Sequence, residues 1–308
     1  MNILSTPLRK PYLLSRAMGR PEYFFRPEQL ARRIALTFHR PASETGTVTQ
    51  PWGLKIEYDQ RNHIGHTILS LGVYELAVCE TLWRLLDTGE TAVDAGANIG
   101  QMTGLMALRV GSSGCIHSFE PHPETSARLA RNVARWVSRP DIGRIEIHQM
   151  ALSDHNGVAS LVEPPEFEHN RGAARVAEDS NDGERVLPIM VSRLDSILRG
   201  CPHLGVLKLD VEGHERRVLE GASEFLKNGL IRDIVFECYD SGPHGPMPYL
   251  QDLGYSIIHI RAAFLGLRIQ DAISSTLPVE DPPTAVATLD IARARDRLSP
   301  RGWQVLRP

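Results

Sequence analysis

The chain has 308 residues, 42% of them hydrophobic and 23% charged, with a formal net charge of −3. That length suits one large α/β domain with extensions, or two small domains. The balanced charge gives no global basic field of the kind that nucleic acid or an anionic membrane surface would call for. No run of 18 apolar residues occurs, so no membrane-spanning helix is expected. The four cysteines, Cys79, Cys115, Cys201 and Cys238, lie far apart and read as reduced thiols of a cytoplasmic protein.

Along the chain, Pro27-Glu28-Gln29-Leu30 followed by Ala31, Ile34, Ala35 and Phe38 predicts an amphipathic helix with proline at its start. Residues 1–50 are therefore expected to form a basic helical extension that ends in the Ser/Thr/Gly stretch at 43–49. Residues 51–60 alternate as a short strand. Leu76, Cys79, Leu82, Trp83 and Leu86 mark a helix within Tyr74–Asp87, stopped by Gly89. Strands and helices then alternate. Strands are expected at Thr91–Ala95, Cys115–Phe119, Arg144–Ala151, Val206–Leu209, Ile231–Cys238 and Tyr255–Ile260. Helices are expected at Ile99–Val110, Pro123–Val137, His214–Leu226 and Met247–Leu253. Such alternation predicts a mostly parallel sheet covered on both faces, a doubly wound, Rossmann-like α/β core over residues 51–275. Residues 163–185, with seven acids and few aliphatics, read as a mobile acidic loop, and the proline- and arginine-rich stretch 276–308 as a loosely attached tail.

The most informative segment is Thr91-Ala92-Val93-Asp94-Ala95-Gly96-Ala97-Asn98-Ile99-Gly100. A short apolar strand ends in an acid, a glycine turn follows, and a helix begins. Open α/β sheets bind ligands at such a turn, where glycine lets backbone approach a ligand closely. The dinucleotide fingerprint Gly-x-Gly-x-x-Gly fails, because its third and sixth positions are Asn98 and Gln101. Gly96-x-Asn98-x-Gly100 follows instead the shorter turn that binds S-adenosylmethionine, with Asp94 placed to hold the amino acid part of that cofactor. Glu120, in Phe119-Glu120-Pro121-His122-Pro123, closes the next strand one βαβ step later and is positioned to accept two ribose hydroxyls. Asp154, in Ala151-Leu152-Ser153-Asp154, follows the third strand and is a candidate acceptor for the adenine amino group, or else a turn residue before Asn156-Gly157.

Together with Tyr74-Glu75 and Lys208-Leu209-Asp210-Val211-Glu212-Gly213-His214-Glu215, these motifs resemble the FkbM family of methyltransferases over about Tyr74–Tyr239. The resemblance implies a class I methyltransferase fold. It also implies S-adenosylmethionine as cofactor, Glu75 among the cofactor-binding residues, and methyl transfer to a hydroxyl of a sugar or other specialised metabolite. The acceptor is thus expected to be a small molecule.

Methyl transfer to a hydroxyl needs a place for the hydroxyl proton. Strand periodicity puts Lys208, Asp210 and Glu212 on one side, and Glu237 closes the neighbouring strand. Asp210, Glu212 and Glu237 are therefore the acceptor-side acids, with Asp210 the first choice for the base. A divalent cation among them is the alternative, disfavoured because Lys208 already supplies positive charge. His63 and His66 have no third partner in the sequence, and no metal site is expected from the histidine spacing. Three rivals stand beside this reading: N-methylation on the same fold, a non-catalytic binder of the cofactor, and a nicotinamide oxidoreductase, which Asn98 and Gln101 disfavour.

Overall fold

The computed structural model describes residues 20–38, 43–165, 167, 169–170, 172–176, 184–237, 242, 245–271 and 284–307. Strands β3 (Thr91–Ala95), β4 (Cys115–Phe119), β5 (Arg144–His148), β10 (Leu204–Leu209) and β11 (Ile231–Glu237) are parallel neighbours in the order β5-β4-β3-β10-β11. Beyond β11 the sheet continues through β14 (Thr284–Thr288), β12 (Ser256–Ala263) and β13 (Gly266–Gln270), and β14 runs antiparallel to both β11 and β12. The chain order reverses between β3 and β10, which opens a crevice at the carboxyl ends of the strands. This is the doubly wound α/β sheet that the alternation of strands and helices predicts.

Each face of the sheet carries its own core. On one face, α3 (His63–Leu71), α4 (Leu76–Leu85), α5 (Gln101–Val110), α6 (Pro123–Trp136) and α11 (Ile291–Leu298) pack on Ala92, Ile116, Val206, Val235 and Val286. On the other, α7 (Leu194–Ile197), α8 (Glu215–Gly221), α9 (Ser223–Lys227) and α10 (Pro246–Asp252) pack on Val93, Phe119, Leu207, Leu209 and Ile234. Alternate residues of each strand serve opposite faces, as period 2 requires.

Several expectations change. The stretch read as a loose tail contributes β14, an interior strand whose five residues are all buried, and Trp303, which is 0% exposed. Its anchor is an ion pair inside the protein: Glu80 accepts from Arg84 Nε at 2.6 Å and from the backbone of Gln304 and Val305, while Arg84 donates to the carbonyls of Pro300 and Gly302. The Ser/Thr/Gly stretch that ends the extension forms β1 (Thr45–Thr49), paired antiparallel with β2 (Lys55–Asp59). Before it, α1 (Pro21–Phe25) and α2 (Pro27–Phe38) dock on α3, where Gln29 donates to the Leu69 carbonyl. The third strand stops at His148. Residues 151–152 join a second sheet of β6 (Ala151–Leu152), β9 (Arg185–Ser192), β7 (Gly157–Glu163) and β8 (Arg175–Val176). The described residues of the acidic segment thus include sheet residues, whereas 166, 168, 171 and 177–183 lie outside the described set, as does Cys238. The helix expected over His214–Leu226 is broken at Ala222 into α8 and α9.

Candidate active site

The turn after β3 is built by its neighbours. The backbone N–H groups of Gly96 and Ala97 both donate to the Phe119 carbonyl at 3.0 Å, and Asn98 N donates to Glu120 Oε2 at 2.9 Å. Gly96 has φ +73°, and a Cβ there would lie 1.8 Å from the Asp210 carbonyl oxygen. Glycine at this position therefore makes room first for strand β10. Asn98 takes the left-handed conformation at φ 49°. Gln101, which breaks the dinucleotide fingerprint, clamps the chain elsewhere. Its side-chain amide accepts from Tyr74 N at 2.9 Å and donates to Tyr74 O at 2.7 Å. That clamp fixes the start of α4, where Glu75 stands at φ 50°.

These elements surround a cavity of about 710 Å³, a size typical of small-molecule sites. Glu75, Gly96, Asn98, Glu120, Lys208, Asp210, Glu212 and Glu237 all line it. The Lys208 ammonium is buried and donates to the Gly96 carbonyl at 3.0 Å, with Asp94 at 3.2 Å and Asp210 at 3.3 Å. Despite its burial, these acids raise its pKa, so it stays charged. Glu212 reaches the cavity through a left-handed turn at φ 49° after β10 has ended, not through strand periodicity. Burial, with Asp210 and Glu237 nearby, pushes Glu212 up to about 7. The same causes push Glu75 up to about 8. Glu120 is pushed up to about 7 by burial, against the pull of the His122 and Asn98 backbone N–H groups.

Three expected cofactor residues stand elsewhere. Asp94 is 0% exposed and does not line the cavity. It is the register partner of Lys208 across β3 and β10, so the two side chains lie side by side, and Thr103 donates to its other oxygen at 2.6 Å. Gly100 starts α5 at φ +93°, and a Cβ there would meet Leu129 at 2.5 Å, so its role is in the core. Asp154 is also absent from the cavity wall. It is held by Arg217 at 2.6 Å, by His155 at 2.7 Å and by Ser153 at 3.1 Å. The reason is the early end of β5, which leaves Ala151 and Leu152, not Asp154, against the cavity.

The Methyltransferase FkbM domain matches residues 94–257. The chain belongs to the FkbM methyltransferase family. Among curated relatives, it is 33% identical over 182 residues to the 31-O-demethyl-FK506 methyltransferase FkbM of Streptomyces tacrolimicus, covering 50% of this chain and 67% of that one. It is 28% identical over 201 residues to methyltransferase sdnD of Sordaria araneosa, covering 55% and 75%. Among solved structures, an FkbM methyltransferase from Methylobacillus flagellatus aligns with 17% identity and a TM-score of 0.45 over 66% of this chain, which spans 44% of that structure's length.

The cavity of this FkbM methyltransferase suits S-adenosylmethionine by the chemistry of its lining. Glu75, Asp210, Glu212 and Glu237 face a space that an ammonium and a sulfonium would neutralise, and Glu120 keeps lone pairs for a diol after its two backbone bonds. Other residues also line the wall. His63 and Tyr74 meet edge to face at 6.1 Å between ring centroids. Arg261, on β12, is buried at its Nε without a hydrogen-bond partner among the described residues. His214 is bonded to Ser153 at 3.0 Å. Asn170 also lines the cavity, whereas His169 is exposed and bonds through its carbonyl to His63 N. Tyr74 and His214 lie within the motifs quoted above and Asn170 within the acidic segment, whereas Arg261 carries no signal of its own in the sequence. No helix is long and apolar enough to cross a membrane among the described residues.

Proposed function

We propose that this S-adenosylmethionine-dependent methyltransferase methylates a hydroxyl group of a small specialised metabolite, with Asp210 receiving the hydroxyl proton. The observation that carries the reading is the placement of Asp210, Glu212 and Glu237 on one cavity wall beside the buried Lys208 and the Gly96 turn. The relative from Streptomyces is named for the 31-O-demethyl-FK506 it methylates, which is consistent with an oxygen acceptor.

The cofactor supplies an activated methyl group, so the protein contributes alignment and proton removal. Glu120 and the turn 96–98 hold the nucleoside end, and Glu75 faces the charged end. Asp210, with 32% of its side chain exposed to the cavity, accepts the acceptor's hydrogen bond. Lys208, fixed by three oxygens, holds Asp210 in place. Glu212, near 7, makes turnover rise with pH up to about neutrality, because its charged form strengthens the field that draws off the proton.

Asp210→Asn tests this directly. Turnover on a hydroxyl acceptor is expected to fall by about 10²–10⁴-fold, with cofactor affinity unchanged by calorimetry and activity of the parent enzyme insensitive to EDTA. Near wild-type turnover in the variant would overturn the assignment. The acid-lined wall also suits an amine, which accepts the methyl group in its neutral form and then needs no strong base, and an Asp210→Asn enzyme that keeps its rate on amines would establish that reading instead.

A further inference from the structure

We propose that His117, Glu146 and His148 form a binding site for a zinc-type divalent cation on the β4–β5 edge of the sheet, separate from the methyl-transfer cavity. His117 and Glu146 are register partners across the two parallel strands, and His148 lies two residues further on the same side. One ligand atom from each lies within 4.8 Å of the others.

The spacing is that of a coordination polyhedron. With metal–nitrogen bonds of about 2.0–2.1 Å, tetrahedral ligand atoms stand roughly 3.3–3.4 Å apart. His117 Nδ1 lies 3.3 Å from His148 Nε2 and 3.2 Å from Glu146 Oε2. A hydrogen-bonded triad explains this poorly, since His117 Nδ1 offers either one proton or one lone pair and faces two neighbours. A cation placed among the three atoms satisfies all of them through their lone pairs.

The surroundings orient the ligands. Cys115 Sγ lies 3.7 Å from His117 Nε2, so the far ring nitrogen has a partner and Nδ1 is left for the metal. Phe119 stacks on the His148 ring at 4.4 Å between centroids. Arg144 holds Glu146 Oε1 at 2.7 Å, leaving Oε2 as the single carboxylate ligand. His117 is buried, whereas Glu146 is 35% exposed, which leaves an entry path and an open fourth position for water. Two imidazoles and one carboxylate select zinc, cobalt or nickel over magnesium or calcium, which prefer oxygen alone.

The test is calorimetric titration of the untagged, chelator-stripped full chain with zinc chloride, together with the visible absorption of added cobalt(II). One equivalent of zinc per chain is expected, with cobalt(II) taking the same site and being displaced by zinc, and with no effect of excess magnesium. Glu146→Gln, half-exposed and so tolerated by the fold, and His148→Gln should each weaken binding by more than about tenfold. Circular dichroism confirms the fold of each variant. His203→Gln, at an exposed histidine outside the cluster, should bind like the parent. Absence of a saturable one-equivalent event, or parent-like affinity in both cluster variants, would overturn the proposal.

Discussion

Replacing Glu75 by Gln isolates the electrostatic load of the cavity. Glu75 titrates at about 8 in the folded protein against an ordinary value of 4.5, because burial and the charges of Asp210 and Glu237 oppose its ionisation. A carboxyl group shifted upwards keeps a proton in the folded state that the unfolded chain releases. Stability is therefore unaffected below the unfolded value, falls as pH rises from about 4.5 to about 8, and is lowest above that window. The full shift corresponds to about 5 kcal/mol, and water entering the open cavity reduces this to roughly 2–4 kcal/mol. Gln matches the neutral carboxyl group in size and ends the titration. Cofactor-free wild type and Glu75→Gln should melt alike near pH 5, and the variant should gain about 3–6 °C by pH 9. Thermal melts read by circular dichroism at pH 5, 7 and 9 measure the gap, and added cofactor, whose cations offset the acids, should narrow it. A gap that stays constant across that range would refute this electrostatic account.

Glu120→Ala should weaken S-adenosylmethionine binding by about tenfold or more, since bonds to a charged acceptor are lost together; unchanged affinity by calorimetry would remove Glu120 from the ribose site. Gly96→Val should block cofactor binding, and the 1.8 Å approach of the Asp210 carbonyl and φ +73° predict a loss of about 2–5 kcal/mol of stability as well. A Gly96→Val protein melting within about 2 °C of the parent would show slack between β3 and β10 that the geometry does not offer. Glu80→Ala leaves Arg84 buried without its carboxylate and should cost about 3–5 kcal/mol, exposing the 300–307 segment to limited proteolysis; intact, parent-like melting would argue against the anchor.

The strands β3 and β4 were readable to the residue, because short apolar runs end there at glycine or proline. The acids of the cavity were also readable, since Asp210, Glu212 and Glu237 follow strands that must end on one edge. What failed depends on register and tertiary neighbours. Asp94 looks like a ligand residue until Lys208 is seen beside it across the strand pair. The His117–Glu146–His148 cluster likewise exists only once β4 and β5 are aligned. Thr284–Thr288 is a five-residue run of small residues that follows Pro282-Pro283 inside a proline- and arginine-rich stretch, and it becomes a strand because β11 and β12 leave a gap of its width. In the 157–192 region, Val158, Val186 and Met190 are exposed, so the apolar alternation that reveals a half-buried strand is blurred.

The position of β14 also sets an order of assembly. A ribosome delivers β11, β12 and β13 before residue 284, yet β12 has no direct pairing with β11 and reaches the sheet only through β14. The emerging chain must hold the β12–β13 hairpin apart, leaving a strand-wide slot with open backbone groups along both borders. Ile260 and Thr284, paired across that slot, are wall residues of the cavity. The cavity wall on this side is therefore complete only when the last strand lies between its two neighbours. With the slot unfilled, its two borders would be a template for a foreign strand, and β14 covers both of them.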